Sequence, residues 1–312
     1  MLRIWTGADR TILTNAIFAK IDESAKSGVT DQILIVPEQF SHEAERKLCL
    51  TCGNAISRFA EVLSLSRLSD RLAAAYGGAA RKYLDKGGRL LAMALAAEQV
   101  SSRIKLFSSV LRKPEFLSEL VAMVDEFQSY CLRPEALLDA ASAVEGQFAQ
   151  KLEELGLLFE AYLAVCANIE SDPADKLARL AELLSEYEWV NGRIVYIDGF
   201  SDFTGAELEV LRLLIMGCKD VYLTLPTGPI GSTLLRLSME QRHILSSLAL
   251  RAGCRYEVLE FKETDHRSMA VQFLLDHLFS TSEVSPAACN GVQLYSFGST
   301  EEECKAAVLR VK

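Results

Sequence analysis

The stretch Gln32-Ile33-Leu34-Ile35-Val36-Pro37-Glu38-Gln39-Phe40-Ser41 decides the fold. Four consecutive apolar residues, three of them β-branched, fit a strand covered on both faces, as in the parallel sheet of an α/β domain. Pro37 then ends the ladder by removing a donor. Glu38, Gln39 and Ser41 hang at the strand's carboxyl end, where open α/β sheets bind their ligands, and helical spacing resumes from Glu43 to Leu50. A carboxylate, an amide and a hydroxyl on a rigid strand end suit hydrogen bonding to a polymer or nucleotide better than proton chemistry.

Upstream, Leu2 to Thr6 reads as a strand and Thr11 to Ala25 as a helix, the setting of a phosphate loop. Counted from Gly7, the G-x-x-x-x-G-K-[ST] template asks for Gly, Lys and a hydroxyl where this chain has Ile12, Leu13 and Thr14. Without the lysine and the second glycine, Gly7 and Thr14 alone should not hold a nucleotide tightly. Downstream, a short strand about Glu61 to Ser64 leads to a helix near Leu68 to Tyr76, capped by Ser64 or Ser66 and closed by Gly77-Gly78. Arg67 falls in its first turn, against the helix dipole, which a phosphate or carboxylate partner would explain.

From Lys82 to about Tyr187 the pattern is helical. Arg89 to Val100, Phe116 to Tyr130, Lys151 to Ile169 and Asp175 to Tyr187 show three-to-four spacing, and Pro114, Pro134 and Pro173 fall at helix starts. Strand periodicity returns at Arg193 to Ile197, which ends in Asp198. That Asp stands where P-loop proteins hold magnesium, but Gly199 follows it where helicases of that class place a catalytic Glu. Next come helix Gly205 to Met216, strand Val221 to Leu225, helix Thr233 to Ala252, strand Tyr256 to Phe261, helix Arg267 to Phe279 and strand Val292 to Phe297. Such alternation argues a parallel sheet with crossover helices. A capping box of Thr300 and Glu303 opens a last helix still running at Lys312, so a longer polypeptide is expected.

The 312 residues suffice for two compact units, and no apolar run reaches the roughly 18 residues that cross a bilayer. Eight cysteines without a secretory signal suggest reduced thiols in a cytoplasm; the Cys49-x-x-Cys52 spacing has no second pair to complete a metal site. The net charge of −9 argues against a general nucleic-acid coat. Yet Ser57 to Lys113 holds eleven basic and four acidic residues, a basic island that could focus a phosphate backbone or form a solvated helical face.

Val36-Pro37-Glu38-Gln39-Phe40, Leu63-Ser64-Leu65-Ser66-Arg67-Leu68, Tyr196-Ile197-Asp198-Gly199-Phe200 with Phe203-Thr204, and Ser296-Phe297-Gly298 occur in this order. With them the chain resembles the N-terminal part of AddB in AddAB-type helicase-nucleases. The resemblance implies a P-loop NTPase fold of the RecA-like, superfamily 1 helicase-like kind, its parallel sheet interrupted by an all-helical subdomain. Residues 1–78 would begin the RecA-like domain, 79–190 would be the helical insertion, and 191–312 would continue the RecA-like domain.

It further implies a non-motor protein that forms a heterodimer with the motor/nuclease partner AddA and acts in double-strand break repair by homologous recombination. Such a protein reads the Chi sequence in single-stranded DNA. Mg²⁺ and a 4Fe-4S cluster are implied for the full-length protein and ATP for the partner, but no cofactor for this part of it, which is expected to be catalytically silent and cytoplasmic.

Carried over by position, DNA- and Chi-reading groups fall on Glu38, Gln39, Ser41, Leu65, Arg67, Asp70 and one of Phe200 or Phe203. A degenerate nucleotide site falls on Gly7, Thr14 and Asp198. Leu65 and Asp70 depart from family aromatics whose stacking is worth about 1–3 kcal/mol per base. Two other readings stand beside this one: an active P-loop ATPase with an atypical loop, and an interaction scaffold for the motor partner.

Overall fold

The computed structural model describes residues 1–77, 83–169, 172–173, 176–227, 236–261, 268–278 and 293–310. The chain divides into two units, one of Met1–Thr227 with Leu237–Phe261 and a smaller one of Gly228–Arg236 with Lys262–Lys312.

The larger unit is built on six parallel strands: β1 (Leu2–Gly7), β2 (Gln32–Ile35), β3 (Ala60–Leu63), β4 (Ile194–Ile197), β5 (Asp220–Pro226) and β6 (Tyr256–Glu260), in the order β3-β2-β4-β5-β1-β6. The apolar run at Ile33 puts side chains on both faces. Ile33 and Ile35 enter one core with Val195, Ile197, Val221 and Leu223, while Leu34 and Val36 enter the other with Tyr196 and Tyr222. This is why the strand reads as a continuous hydrophobic run and not as an alternation.

Helices α1 (Arg10–Lys26) and α2 (Ser41–Cys52) cover the second face through Leu13, Ile17, Phe18, Ile21 and Leu48. The first face is covered by α3 (Leu65–Tyr76), and further along the chain by three helices described below. Between α3 and β4 the chain runs through α4 (Lys86–Val100), α5 (Pro114–Ser129), α6 (Pro134–Ser142), α7 (Gly146–Asn168) and α8 (Lys176–Glu186). The first four share a core of their own around Met93, Leu120, Leu158, Phe159 and Tyr162. Helix α8 does not join it. Leu180, Leu183 and Leu184 of α8 lie in the sheet's core with Leu68 and Leu72 of α3, so the helical stretch divides between two cores. The spacing at Pro134 marked a helix start without naming α6, whose nine residues are too few to show a clear period.

After β4, α9 (Gly205–Gly217) and α10 (Arg236–Arg251) return to the first face, with Val210, Leu214, Leu245 and Ala249 fully buried or nearly so. Thr204 and Glu207 form a reciprocal capping box at the start of α9. Gln32 occupies the first position of β2 at 1% exposure. Its amide donates to the Ile21 and Val29 carbonyls and accepts from the Tyr196 hydroxyl at 2.9 Å, which pins the strand's start to the end of α1.

In the smaller unit, α11 (Met269–His277) and α12 (Thr300–Arg310) are helical as expected. The strand expected at Val292 to Phe297 is not borne out. Val292 lies outside the described residues, and Gln293 to Phe297 pairs with no described strand. A period-two pattern marks a surface that fits a sheet, and it becomes a strand only where an edge receives it. The cap of α12 also sits one residue earlier than expected: the Ser299 hydroxyl, not that of Thr300, accepts from the Glu302 backbone N–H at 3.3 Å. The expected helix start at Thr233 lies outside the described residues, as do Gly78, Arg81, Lys82 and Asp175.

Candidate nucleic-acid interface at the carboxyl edge of the sheet

The degenerate nucleotide motifs meet at the carboxyl ends of β1, β4 and β5. Gly7 closes β1 and α1 begins at Arg10, so only Ala8 and Asp9 connect them. A connection of that length has no slack to wrap a triphosphate. The helix N-terminus that would attract phosphate is occupied from within: Asp9 caps α1, its carboxylate accepting from the Thr11 N–H at 2.7 Å. Leu13, at the place of the phosphate-binding lysine, is fully buried among Ile17, Phe18 and Leu34.

Asp198 is 6% exposed and accepts hydroxyl hydrogen bonds from Thr14, at 2.7 Å, and from Thr224. Thr14 and Asp198 are of the right type for Mg²⁺, but magnesium in such sites is held through the nucleotide's phosphates, for which no cradle exists here. Among the described residues no three His, Cys, Asp or Glu side chains converge as a metal site, and Cys49 and Cys52 are free thiols along one helix. Over these groups, between α1 and α2, lies a cleft of about 380 Å³ bounded by Arg10, Thr14, Phe40, Lys47 and Asp198.

A second cleft, of about 470 Å³, opens on the other side of the β2 and β4 ends. Pro37 and Glu38 form one wall, Ser64, Leu65 and Ser66 at the start of α3 another, with Asp125 of α5, Lys176 of α8 and Phe200 beyond β4 completing it. Its geometry follows from the local sequence. Pro37 breaks the ladder, a single 3₁₀ turn spans Glu38 to Phe40, and the Ser41 hydroxyl closes that turn on the Glu38 carbonyl at 3.0 Å. Ser64 caps α3 by accepting from the Arg67 N–H at 3.2 Å. The Glu38 carboxylate reaches across to the same helix end and accepts from the Ser66 hydroxyl. The Ser64 and Ser66 hydroxyls, helped by the charges of Arg67 and Lys176, hold the Glu38 carboxyl below the usual carboxylate range.

The residues singled out from sequence therefore separate. Glu38, Leu65 and Phe200 line this cleft. Gln39 and Arg67 are exposed, and their side chains make no hydrogen bond or ion pair to another described residue. Asp70 is paired with Lys176 at 3.0 Å, not with Arg67. Ser41, at 3% exposure, has its hydroxyl committed to the chain's own turn, and Leu65, at 6%, packs mainly into the sheet's core. Phe203 is likewise in the core and backs Phe200, the rings stacking at 5.1 Å, so Phe200 is the member of the pair that faces the cleft.

Part of the basic island is consumed internally. Arg71 pairs with Glu61, Arg112 with Glu98, and Arg89 with Asp125 and Asp172. Arg89 is the centre of a buried network: it donates to Asp125 at 3.0 Å and to Tyr162 and Asp172 at 3.3 Å, while the Tyr162 hydroxyl donates to Asp172 at 2.5 Å. The network ties α4, α5 and α7 to the residue before Pro173, so it braces the cleft wall formed by Asp125 and Pro173. Sequence reading missed Asp9, Arg10, Ser66 as a Glu38 partner, and Thr224. Only Asp9 carried a signal, an Asp immediately before a helix.

The family described as "ADDB, N-terminal" matches residues 6–278. The chain is 31% identical over 214 residues to the AddB-type ATP-dependent helicase/deoxyribonuclease subunit of Clostridium tetani, covering 67% of this chain and 18% of that protein. To the protein of the same name from Thermoanaerobacter sp. (strain X514) it is 31% identical over 194 residues, 62% of this chain and 17% of the relative. To that of Desulforamulus reducens it is 27% identical over 300 residues, 91% and 26% respectively. The chain thus spans less than a fifth of the first two relatives and about a quarter of the third. With an α/β parallel sheet consistent with the RecA-like fold and a family match over most of its length, the chain belongs to the N-terminal family of the AddB helicase/deoxyribonuclease proteins.

Proposed function

We propose that this chain is a non-motor, helicase-like DNA-binding part of a helicase-nuclease that acts in double-strand break repair by homologous recombination. It recognises a Chi-type sequence in single-stranded DNA, in the cytoplasm, alongside a motor/nuclease partner that supplies ATP hydrolysis. Mg²⁺ and an iron-sulfur cluster belong, on this reading, to other parts of the longer protein. On this reading residues 1–78 begin the RecA-like domain, 79–190 form the helical insertion and 191–312 continue the RecA-like domain.

The observation that carries the proposal is the cleft at the carboxyl edge, lined by Phe200 and Glu38 with Arg67 exposed on the adjoining helix, while in the nucleotide site beside it Asp9 caps α1 and Thr14 bonds Asp198. Among the described residues on its walls, Glu38, Asp125 and Glu207 outnumber the cation Lys176, so the cleft repels phosphate. A base carrying an exocyclic amine fits better: it can donate to the ionised Glu38 carboxylate and stack on Phe200. Arg67 and Gln39 lie exposed to meet the backbone or a base edge. Asp70, held by Lys176, would act on the strand only indirectly.

Fluorescence anisotropy with labelled single strands over a salt series tests this. Binding should weaken with salt, and Arg67→Ala should lower affinity and flatten the salt slope by about one if Arg67 meets a phosphate. Salt-insensitive or absent binding, with Arg67→Ala indistinguishable from wild type, would favour the scaffold reading instead.

A further inference from the structure

Arg10 belongs to no motif, yet it touches three of the connections that build the carboxyl edge. It sits in the first turn of α1, after β1. Its guanidinium donates through Nη2 to the carbonyl of Gly199, in the connection after β4, and lies over the ring of Phe40, in the connection after β2, at 5.4 Å. One turn further along α1, Thr14 bonds Asp198 at 2.7 Å, so the same helix grips the β4 connection twice.

The fit around Gly199 is close. Its φ of +92° suits glycine, and a Cβ built there would lie 2.8 Å from Arg10 Nη2 and 3.1 Å from Pro37 Cδ. The β1, β2 and β4 connections therefore converge within contact distance of one guanidinium. Arg10 has no carboxylate partner among the described residues. Its charge is met by a carbonyl dipole and an aromatic face, an arrangement that holds position more than it neutralises charge.

In a nucleotide-binding α/β domain the bound phosphates bridge the first connection to the strand-end Asp. Here that space is crossed by a side chain. We propose that Arg10 is a positioning residue, a permanent clamp that fixes the Val36–Phe40 tip and the Gly199–Phe203 connection relative to each other, so that the two walls of the neighbouring cleft keep their spacing without any nucleotide. The consequence for DNA affinity rests on the proposed function above; the clamp itself does not.

Amide hydrogen exchange followed by mass spectrometry decides it on the chain and its Arg10→Met variant, which keeps the aliphatic stem and removes donors and charge. Exchange should accelerate about three- to tenfold in both 36–42 and 198–203, as expected for the loss of one solvent-exposed hydrogen bond, and stay unchanged in β4 and β5. Unchanged exchange, or acceleration in only one of the two connections, overturns the clamp. Should Arg10→Met accelerate exchange throughout the chain, Arg10→Gln is judged by the same criterion. Single-strand affinity is measured alongside, with Arg67→Ala as reference. Wild type that binds no strand refutes the DNA reading while the exchange result still judges the clamp. A strand-binding wild type predicts a loss of about threefold in Arg10→Met.

Discussion

Replacing Arg89 by Met should cost far more than replacing any other cation of the Ser57–Lys113 segment, and the network geometry says how much. The guanidinium has two carboxylate partners in different surroundings: Asp125 is 45% exposed and Asp172 is fully buried. Losing the Asp125 arm alone would cost about 0–1 kcal/mol, the usual worth of a solvent-exposed pair. Losing the Asp172 arm leaves a buried carboxylate facing the Tyr162 hydroxyl without its cation, which costs about 3–5 kcal/mol. The second effect dominates, so Arg89→Met should destabilise by about 3–5 kcal/mol in urea unfolding at pH 7. Adding Asp172→Asn removes the stranded charge and should restore about 2 kcal/mol or more, a strongly non-additive cycle. The reasoning fails if Arg89→Met falls within about 1 kcal/mol of wild type, or if the two changes simply add. Because Asp125 and Pro173 line the candidate DNA cleft, the single variant should also bind single strands more weakly than its stability alone would explain.

Glu154, at 3% exposure, offers a pH test. Burial pushes its carboxyl up, but the backbone N–H groups of Leu106, Lys105 and Phe107 and the Gln150 amide outweigh that and leave it below the ordinary 4.5. A depressed carboxyl stabilises fully above its ordinary value and loses that contribution as pH falls through its folded value. Glu154→Gln should therefore cost about 1.5–3 kcal/mol at pH 7 and progressively less in acid; parallel unfolding profiles for the two proteins from pH 7 to pH 3 would contradict this. Asp9→Ala should cost about 0.5–2 kcal/mol by uncapping α1, yet isothermal titration with Mg-ATP should stay flat, since Ala8 and residue 9 still leave no loop. Gly217→Ala should cost about 1–3 kcal/mol, because a Cβ there would lie 2.2 Å from Val190 Cγ2 in a packed core; an unchanged thermal midpoint would refute the clash.

Four of the six strands were legible because they are short apolar runs closed by Gly7, Pro37, Asp198 or Pro226, and a run such as Ile33–Val36 is most stable as a doubly covered strand. Helix identity was legible for the same reason, but the partner of each helix was not. The spacing of α8 resembles that of α7, and only the tertiary fold sends Leu180 and Leu183 to the sheet and Leu158 to the other helices. At the site, sequence placed polar groups at the correct strand ends and could not say which would turn inward. Ser41 and Glu38 are three residues apart, yet one faces the chain's own turn and the other the cleft, a difference set by a single 3₁₀ turn. Charge misled in the same way. Counting the cations of Ser57–Lys113 could not show that Arg71, Arg89 and Arg112 are matched by carboxylates on other parts of the fold: Glu61, Asp125 with Asp172, and Glu98.

The two-residue Ala8–Asp9 connection has a consequence in time as well as in space. A protein surface that changes with fuel has several dwell times for one sequence, one for each stage of the cycle. A surface whose hinge points are already bridged by Asp9, Arg10 and Thr14 has only one. For the DNA reading proposed here, a strand drawn past it by another engine would meet the same grip at every step, and a pause would report sequence alone.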